Sequence, residues 1–218
     1  MDKKAVVLWT GGKDSSLAFY EAVSMGYKVN SLVTFAPKNE RFLAHPLKFM
    51  KRQAKAINLP HRTIHIRPPF KEGYEKAIQG LSRTVGTLVT GDISEVDGHP
   101  NWIRECSKKS GVCVLTPLWK RNRVEILRKL LSLGFSVVFS CVKKPWFAME
   151  WVGQTLDKQR LDRLMKMHKE TGLDVCGENG EYHTLVADGP LFRKGIQITS
   201  QSMRTEGQFM YMEIKRMK

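Results

Sequence analysis

One early stretch constrains this chain more than any other. A β-rich apolar run, AVVLW at residues 5–9, breaks at Thr10-Gly11-Gly12 and passes into Lys13-Asp14-Ser15-Ser16. The next residues place Leu17, Tyr20 and Ala22–Val23 at helical spacing, with Gly26 as a stop. A strand that turns on two glycines straight into a helix opens a strand–helix–strand unit. Two glycines allow close backbone approach, and a helix start turns free N–H groups and its positive dipole end toward an anion. Lys13 adds a cation, Ser15 and Ser16 add hydroxyls, and Asp14 is a helix cap or a Mg2+ ligand through water. The same residues also suit a tight turn with a capped helix. Neither G-x-x-x-x-G-K-[ST] nor G-x-G-x-x-G is present.

The alternation continues. KVNSLVTFA reads as a strand, and HPLKFMKRQAKAINLP as a helix with Leu47, Met50, Ala54 and Ile57 on one face. HRTIHIR reads as a strand, FKEGYEKAIQGLSRTVG as a helix, TLVTGD as a fourth strand and WIRECSKKSG as a short helix. RVEILRKLLSLG is an amphipathic helix followed by the strand FSVVFSCV. The expected fold class is α/β: a mostly parallel sheet with helices on both faces, binding ligands beyond the carboxyl ends of its strands. The pattern changes near residue 143, which gives a domain at 1–142 and a smaller α+β lobe at 143–218. The second part reads as mainly helical, then turn-rich, then as two strands broken at RTEGQ.

The apolar runs are too short to span a bilayer, and the start lacks a signal peptide's apolar region; the chain reads as cytoplasmic. Cys106, Cys113, Cys141 and Cys176 form no C-x-x-C pair and read as reduced structural thiols. The net charge of +15 makes polyanions candidate partners. The basic residues are spread along the 218-residue chain, which reads as a generally basic surface rather than a nucleic-acid face; RNA contact carries no motif. Exposed C-terminal strands could pair between chains, which leaves a homodimer open.

A second dense segment is GENGEYHT at 177–184. Glu178, Glu181 and His183 surround Asn179 and two glycines. Such a group suits a cationic ligand, proton transfer from an attacking amine, or a metal, and equally a polar loop that caps its own backbone. His45 precedes Pro46 at a helix start, with ligand-site and surface readings evenly balanced. His61, His65, His99 and His168 read as structural or solvated. Trp119, Trp146 and Trp151 read mainly as core or interface.

TGGKDSS resembles the S-G-G-x-D-S signature, the PP-loop, of N-type ATP pyrophosphatases, with Thr10 in place of serine. GDISEVDGHPNWIRECSKKSGVCVLTPLW, the WVG step at 151–153 and CGENGEYHT resemble the diphthine–ammonia ligase family. FLAHPLKFMKRQAKAINLP is most similar to its short bacterial and archaeal-type members. The resemblance implies a Rossmann-like adenine nucleotide alpha hydrolase fold. It also implies ATP with Mg2+, and amidation of an adenylated carboxylate by ammonia with release of AMP and pyrophosphate. Thr10, Gly11, Gly12, Lys13, Asp14, Ser15 and Ser16 would then hold the phosphates, with Gly91, Asp92 and Glu95 in the same cleft. Glu178, Asn179, Glu181, His183 and Thr184 would form the acceptor side. Lys13, Asp14, Glu178, Glu181 and His183 are the catalytic candidates; the acceptor would sit on a translation elongation factor. Two alternatives stand beside this: a PP-loop tRNA-modifying enzyme, and a non-catalytic ATP- or AMP-binding regulator.

Overall fold

Crossover helices force their flanking strands to run parallel, and five of them do so in the computed structural model, which describes residues 3–37, 42–95 and 101–218. β1 (Lys4–Leu8), β2 (Lys28–Pro37), β3 (His61–Ile66), β4 (Thr87–Val89) and β5 (Cys113–Leu115) form one sheet in the order β3-β2-β1-β4-β5. Every neighbouring pair is parallel. The chain leaves β1 toward β2 and β3, then returns to place β4 on the other side of β1. That reversal marks the topological switch point, at which open α/β sheets bind ligands beyond their carboxyl ends. The loop after β1 and the loop after β4 both start there.

The chain divides into two units. The first holds Met1–Thr10, Asp14–Arg41 and Leu59–Lys120; the second holds Gly11–Lys13, Phe42–Asn58 and Arg121–Lys218. In the first, α1 (Lys13–Ser24), α3 (Phe70–Ser82) and α4 (Trp102–Ser107) accompany the parallel sheet. Its core joins Val6, Val33 and Leu88 from the strands to Ile78 and Leu81 from α3, with Val85, Cys106 and Val112. The fully buried Trp9 packs edge-on against Phe19 of α1 at 6.2 Å. This contact seats the helix that follows the glycine turn. α1 stops where expected: Gly26 has φ +80° and its N–H donates to Val23 O.

The second unit carries α2 (Leu47–Ile57), α5 (Arg123–Ser132), α6 (Lys158–Thr171), a 3-10 turn at Met149–Trp151 and a four-stranded antiparallel sheet. The strands β6 (Ser136–Lys143), β7 (Tyr182–Asp188), β8 (Ile198–Glu206) and β9 (Phe209–Met217) lie in the order β7-β6-β9-β8. An aromatic nest organises this unit. Phe139 and Phe147 each pack on both Trp151 and Tyr182, with ring centroids 5.1–5.7 Å apart.

The class expected from sequence, a parallel sheet flanked by helices with a smaller α+β lobe, is the architecture observed. Some elements differ in detail. β6, read with the first half, pairs antiparallel with β7 and β9, and α5 and β6 both group with the second unit. A helix followed by an apolar strand looks the same in sequence whichever sheet the strand joins. β5, only three residues long, and β7, inside a segment read as turn-rich, are additional strands. Among the described residues no helix is long and apolar enough to cross a membrane.

Candidate phosphate loop and the GENGEYHT motif

The loop at 10–16 is divided between the units: Thr10 and Asp14–Ser16 group with the first, Gly11–Lys13 with the second. In the first unit the Thr10 and Ser15 hydroxyls lie 3.1 Å apart, within hydrogen-bond reach. Ser15 and Ser16 are buried, at 3% and 1% exposure. The Ser16 hydroxyl has no hydrogen-bond partner among the described residues. A buried hydroxyl left open at a helix start, just past a glycine turn, fits an anionic ligand. Gly91, at the carboxyl end of β4, lies directly against this segment. A Cβ there would stand 2.6 Å from Asp14 C and Ser15 N. Only a residue without a side chain lets the strand end approach the helix start so closely.

Asp92 serves the loop after β4. Its Oδ2 accepts from the Thr90 hydroxyl and from the Asn101 side-chain amide. Asn101 Oδ1 in turn accepts the Arg104 N–H and caps α4. Asp92 therefore holds the turn beside Gly91. Glu95 is exposed.

In the second unit, Gly11–Lys13 meets the second motif. Gly11 has φ +75°, and its carbonyl accepts from the Val186 N–H of β7 and from the Gln53 amide of α2. Gln53 also donates to Val186 O. The Lys13 N–H donates to Thr184 Oγ1 at 3.1 Å. The Lys13 side chain is buried; its ammonium donates to Cys176 O and lies 5.2 Å above the Tyr182 ring. The ammonium is thus engaged with the GENGEYHT segment.

That segment is held by the buried Glu181. Its carboxylate accepts from the backbone N–H of Asp174 and of Asn179, and from the Asn179 side-chain amide. Gly177, at φ +73°, sits where a Cβ would strike Tyr182 O at 2.8 Å. Asp174 pairs with Arg123 at the start of α5. Glu181 so engaged shapes the turn, and the His183 ring stands next to it in β7.

His183 is held neutral. Burial lowers its basicity first, and the nearby Lys13 ammonium lowers it further, against a smaller opposing effect of Glu181; its pKa falls to about 4. Its ring packs edge-on against His45 at 5.4 Å. A depressed histidine contributes stability that is present above its unfolded pKa of about 6.5 and lost as pH falls through about 4. The protein should lose about 2 kcal/mol from this group between pH 7 and 4.5. Urea midpoints at the two pH values check it: His183→Gln should flatten that difference, and an equal loss in the variant would contradict the assignment.

His45 joins the motif rather than the surface. His61 bonds the Thr34 hydroxyl and His168 bonds Leu173 O, as structural histidines do. His65 is exposed and His99 lies outside the described residues. Trp151 is core, Trp119 lies under Arg104 at 5.4 Å, and Trp146 is partly buried. All four cysteines are free, with only Cys113 exposed; burial pushes the Cys141 thiol up to about 11. Among the described residues no three metal-ligating side chains cluster to hold a metal. Sequence reasoning passed over Gln53. Its signal was present: one polar residue on the buried face of α2, among Phe49, Met50, Ala54 and Ile57.

Residues 3–114 match the family model described as the diphthamide synthase N-terminal domain, and residues 122–218 match that of the diphthamide synthase C-terminal domain. The diphthine–ammonia ligase of Schizosaccharomyces pombe is 24% identical over 237 residues, covering 97% of this chain but 39% of its own length. The human diphthine–ammonia ligase is 24% identical over 230 residues, covering 92% of this chain and 84% of its own. A crystal structure titled as a predicted subunit of tRNA methyltransferase, from Methanocaldococcus jannaschii, aligns with a TM-score of 0.51. At 18% identity over 86% of this chain and 97% of that one, it shows a shared fold alone.

Proposed function

The chain belongs to the diphthamide synthase family, and from that membership we propose that it is an ATP-dependent, AMP-forming carboxylate–ammonia ligase of the diphthine–ammonia ligase type. The observation that carries the reading is the union of a phosphate-binding loop with the GENGEYHT segment: Gly11 and Lys13 are bonded directly to β7 and the turn before it. The reaction transfers AMP to a carboxylate with loss of pyrophosphate; ammonia then attacks the acyl carbon and AMP leaves.

In this reading the N–H groups and hydroxyls of Thr10, Gly11, Gly12, Asp14, Ser15 and Ser16 bind the ATP phosphates, and Lys13 supplies positive charge beside them. Asp14 is the residue to hold Mg2+, which would draw charge from the leaving pyrophosphate. Gly91 and Asp92 set the wall on which the loop rests. His183, neutral at physiological pH but too weak a base to deprotonate ammonium, takes up the proton that the nitrogen sheds as ammonia adds to the acyl carbon. Glu181 fixes the turn that carries Glu178 and Asn179. The acceptor carboxylate lies on a protein, diphthine on a translation elongation factor, in the cytoplasm.

The test is product identity. Purified protein with Mg-ATP, ammonium and cell extract should release AMP and pyrophosphate in a manner dependent on both additions. ADP with phosphate would sink the adenylation chemistry. Tight ATP binding with no turnover across extracts from several sources would favour a regulator.

A further inference from the structure

The exposed side of α2 is uniformly cationic. Lys48, Lys51, Arg52 and Lys55 occupy one face at spacings of three and four, and all are exposed. The helix holds no acidic residue. Each like-charged neighbour at these spacings destabilises the helix, an effect that an ordinary solvated face relieves by mixing signs. α6 does mix them, pairing Lys166 with Glu170 and Arg160 with Asp157. Beside the end of α2, the Arg193 N–H donates to Ala56 O, which adds the exposed Arg193 and Lys194 to the patch. The Asp188 carboxylate lies against Gly195, next in the chain to Lys194. The second unit as a whole carries 22 lysines and arginines against 11 aspartates and glutamates, a surplus of 11.

The opposite side of the same helix is tied to the candidate site. Gln53 bonds Gly11 O and Val186 O, and His45, just before the helix, packs on His183. We propose that the Lys48–Lys51–Arg52–Lys55 face of α2, extended by Arg193 and Lys194, is the docking surface for an acidic protein partner that brings its carboxylate to this site. The inference rests on the ligase reading, in which the acceptor is a protein. The exposed positions of α2 include no aromatic side chain for stacking on bases, so the face suits an acidic protein better than a single-stranded nucleic acid. Lysine-rich faces of this kind steer association and set partner preference.

The test compares two variants of equal charge change: Lys48→Glu/Lys51→Glu/Lys55→Glu on α2, and Lys158→Glu/Lys166→Glu/Lys169→Glu on α6. The probes are labelled poly-L-glutamate and poly(U) RNA at one physiological salt concentration. The α2 variant should weaken polyglutamate binding about tenfold and the α6 variant about twofold, while both reduce poly(U) binding alike. Equal losses of polyglutamate in the two variants, absent binding by the wild type, or a selective loss of poly(U) in the α2 variant would each overturn the proposal. Where the glutamate variants do not fold, the corresponding glutamine variants decide it. With extract as acceptor source, the α2 variant should raise the apparent KM for acceptor and leave the KM for ATP unchanged. A wild type that forms no AMP would refute the ligase reading, while the polyglutamate comparison would still judge the surface.

Discussion

Gly91→Ala should cripple the protein although it adds a single methyl group. The added Cβ would lie 2.6 Å from Asp14 C and Ser15 N, and 2.8 Å from Asp14 O. All three are backbone atoms at the start of α1, so no side chain can swing aside. Either the end of β4 or the start of α1 has to move, and α1 is pinned by Trp9 on Phe19. Overpacking of this kind costs about 3 kcal/mol. A displacement of about 1 Å in the loop's N–H groups should lower ATP-dependent turnover about a hundredfold. Gly80→Ala is the matched control. Gly80 lies in α3 with nothing within 4 Å of the place its methyl group would take, so alanine there should stabilise by roughly 0.5–1 kcal/mol through helix propensity. Urea midpoints and turnover for the pair decide the matter. Wild-type values for Gly91→Ala would mean that the strand end is plastic and does not buttress the loop.

Gly91 also shows the limit of what the sequence made legible. Glycines that permit close approach, a helix start rich in hydroxyls, and helix-spaced apolar residues are local signals, and the parallel sheet with its switch point follows from their order. Gly11, Ser15 and Ser16 could be singled out on those grounds, whereas Gly91 came only with the family resemblance and its close approach to Asp14 and Ser15 only with the structure. The direction of the Lys13 side chain could not. Its acceptor, Cys176 O, lies 163 residues away along the chain, so local pattern carries no information about it. The same holds for His45, whose partner His183 arrives on β7. β6 was readable as a strand but not as a member of the antiparallel sheet, because its pairing with β7 and β9 depends on segments that follow it. Gln53 falls between these cases. A lone amide on an apolar helix face requires buried partners, and the sequence poses that requirement without naming Gly11 and Val186.

Lys13→Met separates the two things that this lysine does. Methionine keeps the length and apolar stem of the side chain and removes the ammonium. Cys176 O then loses its donor and the Tyr182 ring its cation. If the charge beside the loop also stabilises the leaving pyrophosphate, AMP formation should fall on the order of a hundredfold or more. His183 reports the second role independently of turnover. Its pKa of about 4 comes first from burial and then from Lys13, so losing the ammonium should raise it while burial keeps it below the ordinary 6.5. The His183 ring-proton shift, followed by NMR against pH, reads this directly. Lys13→Arg retains the charge and should leave the titration near its wild-type position. A Lys13→Met protein whose His183 titrates as in the wild type would break the electrostatic link between the loop and the motif. A raised titration with undiminished AMP formation would leave Lys13 as a positioning residue of the GENGEYHT segment and remove it from the phosphate chemistry.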